Sequence, residues 1–474
     1  MVHNVCVFAF LALSFSSVSD HNIFVSSFLI NININIKKQQ CCMPVECDHE
    51  TNRISKRNFL CNLQCRESTL PLNLIKTKSK PYRNENLEYN LIDDIQKIPE
   101  SIWDNCITDL STKQISSPFL QHAFLSALES SGCASSETGW LPRHLQITKG
   151  GTACAFVPLY IKGHSMGEFI FDSEWADYAK QKGVIYYPKV LIGSPFSPIT
   201  CPKILIDPSF YESHRFDEDK ERLREFRLYV GEIIQSIVKG NRLSSAHINF
   251  LTEEEATDLA GEFKIMHDDE NNVMTKSKYV LQSMVQKLTT KESNFIRKAT
   301  LQYHWFNKHK ERGDAYHNFD DYLKCFKSKK RISIKRERRR VAEQNIRVDA
   351  IVGKEIRNHP GLVKRMYEIY KSTVDKKLWG NLYFTPEFFE MLVDKDNFVN
   401  NLVFMCARPS NFNNTDTSTD SVPNVFKSDT KVDRSEFQAQ DVFAGTINVV
   451  QNGIFYGRHY GTLNEVKNIH FEVR

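Results

Sequence analysis

The chain has 474 residues, of which 41% are apolar and 25% charged, and carries a formal net charge of +5. This is an ordinary globular mix, which excludes collagen-like, wholly disordered and disulfide-stapled architectures and allows two or three compact units. Between Lys324 and Arg340 ten Lys/Arg face one acid, Glu337, so the rest of the chain is slightly acidic and an anionic partner would meet one helix, not a whole surface.

The front differs in composition from the rest. The longest apolar run, Val5 to Phe15, is too short for the roughly 20 residues of a membrane span, so none is predicted. It is followed by Ser16-Ser17-Val18-Ser19, with only His3 ahead of it where a secretory signal carries Lys or Arg. Ile/Asn-rich sequence then gives way to Lys37, Lys38, Arg53, Lys56 and Arg57 among Ser and Thr, acid-poor at first as organelle transit sequences are. Residues 1–100 are therefore expected to be a leader and disordered region. They would direct the chain to an organelle, a plastid before others, with a secretory route as the alternative, and folded material would start near Ser101.

Six of the twelve cysteines lie in this front part. The group Cys41-Cys42, Cys47-x-His49 and Cys61-x3-Cys65 lacks the paired C-x2-C knuckles of a tetrahedral zinc site, so no metal is assigned. The other cysteines are scattered singly and fit buried free thiols.

In chain order, Phe119, Leu120, Phe124, Leu125 and Leu128 predict a helix after Ser117-Pro118. Ala153 to Ile161 predicts a strand, Glu174 to Lys180 a helix, and Val184 to Ile192 a strand stopped by Gly193-Ser194-Pro195. A long helix from about Asp217 to Val238, a strand from Ala246 to Leu251 and a capping-box helix start at Thr252-Glu-Glu-Glu255 follow. This alternation argues for a layered α/β domain. Residues His267 to Lys298 are polar and suggest an insertion, and Leu301 to Phe306 a strand. Asn318 can cap a helix with Phe319, Tyr322, Leu323 and Phe326 on one face. Helices over Leu362 to Val374 and from Thr385-Pro386 come next. Phe398 to Ala407 and Val442 to Val450 form a hairpin interrupted by a disordered loop, 409–437.

Gly163-His164-Ser165-Met166-Gly167 matches the G-x-S-x-G elbow of serine hydrolases, in which Ser sits on a strand-to-helix turn. Glu168-Phe169-Ile170-Phe171-Asp172 alternates like a second strand, so a tight hairpin is preferred over an elbow. Lys329 to Arg340 is a basic helix with an apolar seam at Ile334 and Val341, and it could grip phosphates through Arg336, Arg338 and Arg339. A solvated helix face is the alternative. Trp379-Gly380-Asn381-Leu382-Tyr383-Phe384 and Phe455-Tyr456-Gly457-Arg458-His459-Tyr460-Gly461 combine glycine and aromatics, as a ligand cleft or ordinary packing would. Arg458-x-x-Gly461 half-matches the pyrophosphate loop of acetyltransferases, with Leu463 where a small residue is needed. His304 and His144 fit edge and core residues.

Taken as an ordered series, several segments resemble the FemAB-like family of N-acyltransferases, labelled peptidoglycan biosynthesis/recognition. They are Ser117-Pro118-Phe119-Leu120, Gly139-Trp140-Leu141-Pro142-Arg143-His144, Pro158 to Glu168, Tyr186-Tyr187-Pro188-Lys189, Gln302-Tyr303-His304-Trp305, Phe319-Asp320-Asp321, Lys329-Lys330-Arg331, Arg336-Glu337-Arg338-Arg339, Trp379-Gly380, Tyr456-Gly457-Arg458 and His470-Phe471-Glu472. The resemblance implies tandem acetyltransferase-like α/β domains with mixed open sheets, over 101–310 and 311–474. The first would hold the insertion near 267–298, and the second would be incomplete at its C-terminal end.

The activity implied is transfer of an acyl or aminoacyl group to a small-molecule or peptide amine. Acyl-CoA or aminoacyl-tRNA would be the co-substrate, with no tightly bound cofactor and with tRNA or coenzyme phosphates at the basic helix. The cleft residues expected on this reading are His164, Glu168, Tyr187 and Tyr456 for chemistry and Trp379, Tyr383 and Arg458 for substrate. Two other readings are a non-catalytic module that recognises a peptide or glycan conjugate, and a serine hydrolase at Ser165.

Overall fold

The computed structural model describes residues 2–10, 82, 85–109, 112, 114–170, 172–260, 285–286, 295–302, 304–309, 311–376, 381–409, 437–464 and 466. It divides into two compact units, one of residues 1–125 and 134–302 and the other of 126–133 and 303–474. The cysteine group 41–65, most of the polar 267–298 stretch and the 410–436 loop lie outside the described residues.

The first unit contains β1 (Val2–Phe10), β2 (Leu87–Ile92), α1 (Glu100–Cys106), α2 (His122–Ser130), β3 (Trp140–Pro142), β4 (His144–Lys149), β5 (Thr152–Val157) and β6 (Leu159–Lys162), α2 running on past its boundary. It continues through α3 (Ser173–Gln181), β7 (Lys189–Ile192), β8 (Leu205–Ile206), α4 (Pro208–Ser213), α5 (Lys220–Gly240), β9 (Ser245–Leu251), α6 (Glu253–Ala260), β10 (Val285–Gln286) and β11 (Phe295–Gln302). Its larger sheet has the order β10-β11-β1-β9-β7-β6-β3, and a second sheet the order β2-β4-β5-β8. All pairings are antiparallel except β7 with β9, which run parallel.

Several elements differ from the sequence expectation. The run 2–10, whose composition suggested a leader, forms β1 between β9 and β11. Ordered chain begins upstream of Ser101, with β2 and a buried Tyr82. The single strand expected over Ala153 to Ile161 is two strands in two different sheets, because Pro158 has no N–H to continue a ladder. Pro188 likewise delays the Val184–Ile192 strand until Lys189. Phe295 to Lys298, expected within an insertion, is the start of β11, so that strand lies earlier than Leu301–Phe306.

α5 shows how one sheet face is made. Asp219 caps it by accepting from the amide of Arg222, and Leu223, Phe226, Val230, Ile233, Ile234 and Ile237 recur every three or four residues. They share a core with Leu159, Ile161, Val190, Ile192, Ala246 and Ile248, alternate residues of β6, β7 and β9. Each such side chain contributes roughly 1.5–3 kcal/mol by leaving water. The intervening residues of those strands point to the other face, where the chemistry lies.

The second unit contains α7 (Phe319–Lys324), α8 (Ser328–Glu343), β12 (Ile346–Val352), α9 (Leu362–Asp375), α10 (Pro386–Asp394), α11 (Asp396–Val399), β13 (Leu402–Pro409), β14 (Ala444–Gln451) and β15 (Ile454–Thr462). Its sheet is antiparallel, β12-β13-β14-β15. The hairpin β13–β14 is as expected, although Phe398 falls in α11, ahead of the strand. Asn318 caps α7 by accepting from the amide of Asp321, and α8 buries Ile334 and Val341 as its seam predicted. Both units are thus α/β with mixed or antiparallel open sheets, consistent with an acetyltransferase-type architecture.

Candidate functional site

Across β3, β6 and β7, Trp140, Lys162 and Lys189 are register partners, and one step along lie Pro142, Tyr160, Leu191 and His247 of β9. Lys162, Lys189 and His247 have no exposed surface. Two ammonium groups opposite each other in a dry sheet face require anions, and the segment between β6 and α3 supplies them. Lys189 Nζ donates to Glu168 Oε2 at 2.9 Å, Asp172 Oδ2 at 2.6 Å and Ser165 Oγ at 3.1 Å, and lies 3.2 Å from His247 Nδ1. Lys162 Nζ donates to the Met166 carbonyl at 3.2 Å and stands 3.7 Å from the Trp140 ring centre.

The electrostatics divide the four charges unequally. Burial pushes the Lys162 ammonium well below its usual range, although Glu168 opposes the shift. Burial also pushes the Glu168 carboxyl up, against the pull of Lys189. For Asp172 burial acts upward too, but Lys189 and the hydrogen bonds of the cluster outweigh it and the carboxyl sits below its ordinary value. Asp172 is therefore the carboxyl held ionised, 2.6 Å from Lys189 Nζ, while Lys162 and Glu168 both lean towards their neutral forms. Glu168 Oε1 and Asp172 Oδ1 are buried without a hydrogen-bond partner among the described residues.

Glu168, Asp172 and His247 bring potential metal-ligand atoms within 4.8 Å of one another. The Lys189 ammonium contacts all three residues, so the cluster carries its own cation. His247 is kept neutral, first by burial and then by Lys189.

A hydrogen-bonded chain leads outward from this cluster. Ser165 Oγ is 2.5 Å from the Tyr187 hydroxyl, and both residues are partly exposed. A lysine ammonium can only donate, so the Ser165 oxygen accepts from Lys189; Asp172 also draws on the Ser165 hydroxyl, and between Ser165 and Tyr187 either hydroxyl can donate. Burial raises the pKa of Tyr187, with Asp172 adding to it, and the phenol stays protonated. His164 is lowered to about 4, chiefly by burial and then by Lys162. Its Nδ1 accepts from the Met166 amide at 3.2 Å and the ring also bonds Thr138, which makes it a brace for the loop.

The G-x-S-x-G segment is neither an elbow nor a hairpin. Ser165 lies in a turn well ahead of α3, and Glu168 and Asp172 do not alternate in a strand but both turn in to Lys189. Gly167 serves that turn: its φ is +79°, and a Cβ there would come within 2.6 Å of the Phe196 ring.

In the second unit, Tyr456 and Arg458 lie on β15. The register runs Ile447 to His459 and then Asn448 to Gly457, so Arg458 is the extra residue of a β-bulge. Arg458 is half-buried; its partial desolvation acts to lower the guanidinium pKa, yet the group stays charged. Tyr383 donates its amide to the Tyr370 hydroxyl at 3.3 Å, and the Tyr370 ring meets His459 at 4.9 Å. Arg458 to Gly461 lie within strand β15 and form no loop; an added Cβ at Gly461 would run into the Ile369 carbonyl of α9, so its bare face lets helix and sheet meet. On α8, Arg336 and Arg339 are exposed, whereas Arg338 lies 4.5 Å over the Phe319 ring. Trp379 lies outside the described residues.

Of the predicted residues, the structure thus brings together His164, Glu168 and Tyr187. Sequence reading missed Lys162, Asp172, Lys189 and His247. The available signal was a lysine at an inward position of an otherwise apolar strand, as in Tyr160-Ile161-Lys162 and Lys189-Val190-Leu191-Ile192.

No curated protein matches the chain. The sequence model of FemAB-like proteins, described as peptidoglycan biosynthesis/recognition, matches residues 94–415, ending short of β14 and β15. That is well over half of the chain, and it includes every residue of the Lys162–Lys189 cluster, His247 among them; the protein belongs to the FemAB-like family.

Proposed function

We propose that this protein is an N-acyltransferase that moves an acyl or aminoacyl group from acyl-CoA or aminoacyl-tRNA to an amine, with Tyr187 at the reacting carbonyl. The observation that carries this reading is the chain Tyr187–Ser165–Lys189, which ends on Asp172 and Glu168. Attack of the amine nitrogen on the donor carbonyl forms a C–N bond and places negative charge on the carbonyl oxygen. A phenol held protonated, and polarised through Ser165 by a fixed ammonium, is a suitable donor to that oxyanion. Collapse of the intermediate breaks the bond to the thiol or ribose oxygen of the donor, which leaves with a proton, and the amine nitrogen loses one. His164 and Glu168 are positioning residues in this scheme.

Incubation of the full chain with labelled acyl-CoA or aminoacyl-tRNA and a panel of small amines and peptides tests it. Transfer to an amine supports the reading; absence of transfer and of binding for both donors ends it.

A second reading is favoured by one observation, the complete burial of Lys162, Lys189 and His247. A network sealed from solvent also fixes a fold without taking part in chemistry, as in a binding module for a peptide or glycan conjugate. Acyl transfer that is unchanged by Tyr187→Phe would favour a site elsewhere; ligand binding without any transfer would favour the module. The N-terminal composition motivates a further proposal, an organellar location, which imaging of a fluorescent fusion to residues 1–100 tests.

A further inference from the structure

α8 and the segment before α7 carry an unusual surface. At 100° per residue, Ile332, Arg336 and Arg339 share the outward face of α8, opposite the buried Ile334 and Val341, and all three are exposed. Ile332 is 63% exposed in the middle of these cations. Trp305 and Phe306 are 63% and 61% exposed in the same unit. Trp305 stacks on Tyr316 at 6.3 Å and meets Tyr322 edge-on at 5.7 Å; Tyr322 lies 6.0 Å from Phe319, and Phe319 carries the Arg338 guanidinium. The aromatic group therefore adjoins α8. The acids of α7 are already engaged, Asp320 with Lys335 at 2.9 Å and Asp321 with Arg312 at 2.6 Å.

We propose that this surface docks the protein on an anionic lipid bilayer, with Ile332, Trp305 and Phe306 entering the headgroup boundary and Lys329, Arg336, Arg339 and Arg340 lying on the lipid phosphates and carboxylates. Large apolar side chains exposed among cations match an interfacial anchor, whose affinity combines apolar burial with attraction to anionic lipid. A nucleic acid would use the same cations, but Ile332 has neither a ring to stack on a base nor a polar atom to read one. No membrane-spanning helix is involved: among the described residues none is long and apolar enough. The inference does not need the acyl-transfer reading, but it assigns to lipid the arginines that reading would give to donor phosphates, and the RNA arm of the test separates the two.

The test is co-sedimentation of the full chain with vesicles of phosphatidylcholine alone or with about one-third phosphatidylserine, beside a fluorescence titration with single-stranded RNA. The expected result is binding to the anionic vesicles alone, weakened by salt. Arg336→Glu with Arg339→Glu should weaken it more than about tenfold, and Ile332→Ser with Trp305→Ser by about tenfold. These positions are exposed, and unchanged melting of the variants checks that they fold. Failure to bind anionic vesicles overturns the proposal. So does vesicle binding indifferent to the apolar substitutions, or RNA binding tighter than vesicle binding.

Discussion

Lys162 and Lys189 stand directly opposite each other on β6 and β7, both fully buried, yet they are held in different ways. Lys189 anchors Glu168 and Asp172, whereas Lys162 rests on a carbonyl and an indole ring. Replacing Lys189 by Met strands two buried carboxyl groups and is expected to cost about 3–5 kcal/mol. Lys162→Met removes a group that burial already drives towards its neutral form, and it relieves the like-charge pair; a cost under about 1.5 kcal/mol is expected. Urea or thermal unfolding of the two variants checks the order, which equal losses would contradict.

Asp104 supplies a pH dependence. Its carboxylate accepts from the His122 amide at 2.8 Å, yet burial, the larger influence, raises its pKa to about 6. The folded state therefore holds this proton at a higher pH than the unfolded chain does. Stability from this group is full below about pH 4 and falls as pH rises towards 6, after which the loss stays. Asp104→Asn keeps the acceptor and removes the charge. It should match the parent near pH 4 and exceed it by on the order of 1–2 kcal/mol at pH 8, the figure being discounted for partial exposure. Parallel melts at the two pH values measure this.

Gly457 and Gly461 separate two uses of glycine on β15. A Cβ at Gly461 would collide with the α9 backbone, while one at Gly457 would reach only Asn448 Oδ1 at 4.0 Å. Gly461→Ala is expected to destabilise the second unit by about 2–4 kcal/mol, and Gly457→Ala by less than about 1 kcal/mol. Limited proteolysis or melting of the variants distinguishes them.

What could be read from the sequence follows from the range of the interactions involved. α5, α7, α9 and the β13–β14 hairpin are written in local periodicity and, for α7, in the Asn318 cap, and were legible, although α5 starts at Lys220 behind an Asp219 cap and not at Asp217. The break at Pro158 was visible as a residue, but not that the chain changes sheets there, since that depends on partners β8 and β7 far along the chain. The site divides in the same way. Glu168 and Tyr187 could be named from their motifs, whereas Asp172 and His247 acquire meaning only when β7 and β9 run parallel and set Leu191 beside His247. The Glu168–Asp172 segment misled because alternating aromatic residues suggest a strand, while its two acids are in fact drawn to a lysine far along the chain.

The most direct test of the central claim is the single-turnover rate of acyl transfer by the full chain, by Tyr187→Phe and by Ser165→Ala, with the melting temperature of each. The account predicts measurable transfer by the parent, a loss of about 10²–10³-fold on removing the Tyr187 hydroxyl at unchanged stability, and a smaller loss for Ser165→Ala, which breaks the link to Lys189. A Tyr187→Phe protein that transfers at the parent's rate would contradict it.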